Sequence, residues 1–203
     1  MPSINRRTLL KLVSSAPAAA ALVWTERDVR AAADQAQAAR AAAQKTRVAF
    51  KPKFFTAHEY ATVLVLVDLI IPKDERSGSA TDAGVPEFMD FMMVDQPNRQ
   101  VAMRGGLAWL DHECTRRFDK PFLGCTTVER TAVLDDIAWP QKAKPAMQHG
   151  VTFFNSFRDL TASGFWTTKM GIEDLQYRGN TVVPEWKGCP DEAVKKLGLT
   201  PVE

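Results

Sequence analysis

The chain has 203 residues, 45 % of them hydrophobic, and a nominal charge of +2 at pH 7, which is enough for one domain with a real core. The charge is split unevenly: residues 1–53 carry 10 Lys+Arg against 3 Asp+Glu, and the remainder carries 16 against 21, a net of −5. That mildly acidic body argues against nucleic acid as the partner, because a phosphate binder needs a basic face.

The chain opens with "NRRTLLKLVSSAPAAAALVW", residues 5–24. The paired Arg6 and Arg7 precede a 12-residue uncharged run, Leu12 to Val23. A bilayer-spanning helix needs about 20 apolar residues, so this run is too short. A cationic start followed by a short apolar segment is the pattern of a targeting peptide, here of the twin-arginine kind. Small residues offer a cut at Ala18-Ala19-Ala20 or at Ala31-Ala32-Ala33, and the third possibility is a leader retained as an anchor. Residues 25–49 are alanine-rich with scattered charges and little large apolar surface. We therefore assign 1–33 to the signal and the start of a spacer, and 34–53 to the rest of that spacer.

The body begins at "FFTAHEYATVLVLVDLIIP". Thr56 and Glu59 form a capping box, Phe55 and Tyr60 a hydrophobic staple, and Pro72 ends the helix. Residues 73–84 read as a polar loop. "VPEFMDFMM" places Pro86 at a first helical position with Phe88, Met89, Met92 and Met93 to bury. A longer helix follows from Asn98 to Phe118. Its Gly105-Gly106 pair costs about 2 kcal/mol in propensity, so either a neighbour packs closely there or the helix breaks. Thr126 and Glu129 repeat the capping box, and Pro140 stops that helix. Met147, Val151, Phe154, Phe157 and Leu160 mark one more. After Thr167 the chain turns irregular, with only 191–197 reading as a short helix. The expected fold is all-α: an irregular bundle of about five helices over 54–167, followed by a partner-binding tail over 168–203.

Reaction chemistry is hard to find. There is no dinucleotide or phosphate-binding glycine loop, no haem-attachment C-x-x-C-H and no nucleophile elbow. "HEYAT" and "HECTR" both lack the second histidine of a zinc-protease motif. Neighbouring carboxylates such as Asp135-Asp136 do not face each other on a helix. We assign no catalytic, cofactor-binding or metal-binding residue. Cys114 and Cys125 are a candidate disulfide, worth about 3 kcal/mol on the loop-entropy argument, and Cys189 is left over.

The leader, the stretch "FFTAHEYATVLVLVDLIIPKDERSGSATDAGVPEFMDFM" and the ending "GFWTTKMGIEDLQYRGNTVVPEWKGCPDEAVKKLGL" together resemble the gluconate 2-dehydrogenase subunit 3 family, over residues 54–199. The resemblance implies a non-catalytic small subunit of a periplasmic FAD-dependent sugar dehydrogenase. FAD would sit in a large glucose-methanol-choline type partner, and haem c in a cytochrome partner. The small subunit would assist folding of the flavoprotein and lend it the export signal Arg6-Arg7. Phe165, Trp166, Tyr177, Pro184 and Trp186 are the candidate partner-binding residues, since aromatic anchors carry interface energy. The competing reading is a stand-alone exported metal- or ligand-binding protein, or an enzyme, with a site near His112.

Overall fold

The computed structural model describes residues 25–46, 50–177, 179, 185 and 188–198. These form an all-α structure with no strand among the described residues. The helices are α1 (Glu26–Thr46), α2 (Ala57–Ile70), α3 (Ala80–Ala83), α4 (Val85–Asp95), α5 (Gln100–Phe118), α6 (Thr127–Ala138), α7 (Gln148–Trp166), α8 (Lys169–Asp174) and α9 (Asp191–Lys196). Short 3-10 turns at Pro97–Arg99, Phe122–Gly124 and Pro145–Met147 link several of them.

Local chemistry sets most boundaries. Thr56 with Glu59 and Thr126 with Glu129 form reciprocal capping boxes at the starts of α2 and α6, each satisfying two orphan amides. The polar loop expected at 73–84 contains a helical turn, α3. Ser79 and Asp82 make a third capping box there, and the side chain of Asp68 on α2 accepts from the Thr81 amide at 2.8 Å. Gly84 ends that turn with φ +89°, a left-handed conformation that glycine adopts without penalty.

Helix α7 is the central element. It packs against α1 through α6 and α8, and Phe157, Leu160 and Phe165 on it are fully buried. The Gly105-Gly106 pair resolves into two different positions on an unbroken α5. A Cβ at Gly106 would lie 1.8 Å from the Phe153 ring of α7, so glycine permits the close approach; one at Gly105 would meet nothing within 4 Å.

The alanine-rich stretch departs most from expectation. It is no spacer: residues 26–46 form α1, which packs chiefly on α4. Val29, Ala32, Ala33 and Ala36 are buried, at the i, i+3, i+4, i+7 spacing of one helical face. Small side chains let the backbones approach closely, so a helix without large apolar residues still docks. Its partner α4 buries Met89, Met92 and Met93, whose unbranched side chains adapt to irregular surfaces.

The backbone just ahead of α2 is also fixed. Asp90 is fully buried, and its carboxylate accepts from the backbone amides of Lys53, Phe54 and Phe55 at 2.7, 2.9 and 3.1 Å. Arg104 donates to the Phe54 carbonyl at 2.8 Å. A buried carboxylate with several amide donors is well compensated.

Candidate partner-binding surface

Large apolar residues are exposed singly at Val94, Val101, Val128, Trp139 and Leu197, and four more fall in one short stretch, at the end of α7 and the segment after it. Trp166, Ile172, Leu175 and Tyr177 are 38, 40, 58 and 62 % exposed. Large apolar residues close together at the surface mark interaction sites more often than isolated ones do. They are held on a fixed backbone. Thr168 caps α8, accepting from the Gly171 amide at 3.1 Å and donating to the Phe165 carbonyl at 2.7 Å. A Cβ at Gly171 would lie 2.2 Å from that same carbonyl oxygen, so α8 folds tightly back on the end of α7. Arg76, in the loop before α3, donates to the Asp174 carbonyl and pairs with its carboxylate at 3.2 Å. The stretch expected to be irregular after residue 168 is thus regular at its start.

The sequence-derived anchors separate. Trp166 and Tyr177 present their rings to solvent. Phe165 does not: it is fully buried and stacks edge-on against Trp166 at 4.9 Å. Its ring belongs to the core of this chain, because the inward face of α7 ends there. Pro184 and Trp186 lie outside the described residues, as do Arg6 and Arg7. Ile172 and Leu175 escaped the sequence reading, which weighted aromatic residues; their i, i+3 spacing on a short helix was the available signal.

Two clefts open along α7. One, of about 440 Å³, lies between Ala162, Ser163, Trp166 and Thr167 and the first turns of α1, at Glu26, Val29 and Arg30. The other, of about 370 Å³, lies between α5 and α7, floored by Gly105, Gly106, Trp109 and Phe153, with His149 and Thr152 at its polar edge. It is apolar and shape-defining, with few groups capable of acid–base work.

The reactive candidates are spread apart. No group of three His, Cys, Asp or Glu side chains could hold a metal among the described residues. His112 is exposed on α5, while Cys114 is buried. His58 bonds Asp111 at 2.6 Å, and the other Asp111 oxygen accepts from the Phe122 amide at 2.9 Å. That carboxylate ties α2 and the turn at 122–124 to α5. Cys114 and Cys125 are both free and buried. Burial and the adjoining Cys125 thiol push Cys114 up to about 12, which keeps it protonated and slow to oxidise. The structure therefore holds two thiols where the sequence suggested a bridge.

The family model described as gluconate 2-dehydrogenase subunit 3 matches residues 57–184. The chain belongs to the gluconate 2-dehydrogenase subunit 3 family. Neither a curated protein nor a solved structure matches it. The family span takes in α2 to α8 and the exposed residues through Tyr177, whereas α1 precedes it.

Proposed function

We propose that this chain is the non-catalytic small subunit of an exported FAD-dependent sugar dehydrogenase complex. The observation that carries the reading is membership of a dehydrogenase subunit family over residues 57–184. The exposed apolar end of α7 and α8 supports it, because a surface of this kind is covered when a larger chain docks. In this reading the flavin-bearing subunit binds across Trp166, Ile172, Leu175 and Tyr177, and a cytochrome takes the electrons onward. Residues Pro184 and Trp186 extend the contact. The twin arginines Arg6 and Arg7 send the assembled pair to the periplasm. The substrate is a sugar or glycoside, and the pocket that chooses it lies in the partner.

The test is to tag the chain in its native cell, purify it gently, and record both the co-eluting proteins and the visible spectrum. A larger partner with flavin absorbance is expected. A folded chain eluting alone and colourless at full yield overturns the reading. Replacing Arg6 and Arg7 together by lysine is expected to strand both chains in the cytoplasm; export of the partner unchanged overturns the carrier role.

A further inference from the structure

Two alanine runs compete as the place where an export peptide would be removed, and the structure treats the second of them as core. Ala32 and Ala33 are 3 and 6 % exposed, and with Val29 and Ala36 they form the face that docks α1 on α4. Backbone that is helical and packed is a poor protease substrate, since the scissile carbonyl is both bonded and covered. Contacts distant in sequence hold the helix at both ends. Gln96 donates to the Asp28 carboxylate at 3.1 Å, and Arg40 donates to the Asp82 carbonyl at 2.6 Å. Thr25 starts the helix, its side-chain oxygen accepting from the Asp28 amide at 3.2 Å. Helix α1 is therefore held from its first turn onward.

A cut after Ala33 would strip Val29, Ala32, Ala33 and the Asp28 tie from the bundle. The remnant, residues 34–46, would be a helix near the length at which isolated helices are marginal. We propose that the export peptide is removed ahead of Thr25, so that α1 remains in the mature subunit with Ala32 and Ala33 as part of its packing surface. The inference rests on the export reading above and concerns residues outside the family match.

The experiment is intact-mass measurement and N-terminal sequencing of the chain recovered from the periplasmic fraction. An N-terminus between Ala19 and Thr25 is expected. An N-terminus at Asp34 or later, or an uncut chain, overturns the proposal. A chain confined to the cytoplasm sinks the export reading instead, and the structural half is then decided by two deletions compared with the full chain. Removing residues 2–24 is expected to leave the thermal midpoint unchanged. Removing residues 2–33 is expected to lower it by at least about 5 °C or abolish cooperative unfolding. Equal midpoints for the two deletions overturn it.

Discussion

Two regions of the described structure invert what side-chain size suggests. Helix α1 has almost nothing larger than alanine on its inner face, yet it is docked and buried. The segment from Trp166 to Tyr177 carries five large apolar side chains, yet only Met170 packs back on the core and the other four are exposed. Burial follows from whether a complementary surface exists within the chain. A small-residue stripe finds one on α4, where close approach replaces bulk. Among the described residues, no such surface covers Ile172, Leu175 and Tyr177, and they remain open to solvent.

The largest effect should come from cutting the Asp90 link to the backbone ahead of α2. Asp90→Ala leaves the Lys53, Phe54 and Phe55 amides without their acceptor, and unfolding titrations should show a loss of about 4 kcal/mol. A loss below about 1 kcal/mol would mean that this link is not what fixes the entry into α2.

Acid gives the next test. Hydrogen bonds from Arg116 and Arg117, opposed by burial, hold the Glu113 carboxyl at about 2. A carboxylate depressed in the folded state stabilises fully above its unfolded value, and that stability disappears as pH falls through the folded value. The fold should thus lose on the order of 3 kcal/mol between about pH 5 and pH 2, and Glu113→Gln should flatten that slope. A label on exposed Gln37 of α1 and the fluorescence of Trp109 should report one coincident acid transition. Separate transitions would break the comparison by making α1 an independent unit.

Ala36→Leu sharpens it further. Overpacking a close helix contact should cost about 2 kcal/mol, whereas in a loose spacer the change would be neutral or slightly favourable. The smallest effect belongs to the other region. Leu175→Ser and Tyr177→Ser should each change the stability of the separate chain by less than about 0.5 kcal/mol, while reducing recovery of the proposed flavoprotein partner on affinity purification. A large stability loss would move these residues into the core.

Much of the bundle was legible because its punctuation is chemical. Thr56/Glu59 and Thr126/Glu129 announce helix starts from sequence alone, and both boxes form. The same grammar at Ser79/Asp82 was readable but sat inside a stretch dominated by glycine, serine and charge. Helix α1 was illegible for a different reason. An alanine face differs from an alanine spacer only through the shape of its distant partner, and sequence periodicity weights size. Gly105 and Gly106 look identical in the chain, and only the position of Phe153 tells them apart. The candidate site was half legible: Trp166 and Tyr177 are exposed, but adjacency concealed that Phe165 turns inward.

The central place of α7 also has a consequence in time. Every other helix from α1 to α6 leans on an element that ends at Trp166, so none of them can complete its packing until most of the chain has been made. At roughly 5–20 residues per second, the residues ahead of α1 are made some 7–30 s before the core can close. Under the proposed export reading, synthesis order alone thus sets a minimum delay between the appearance of the address and the existence of something folded to deliver.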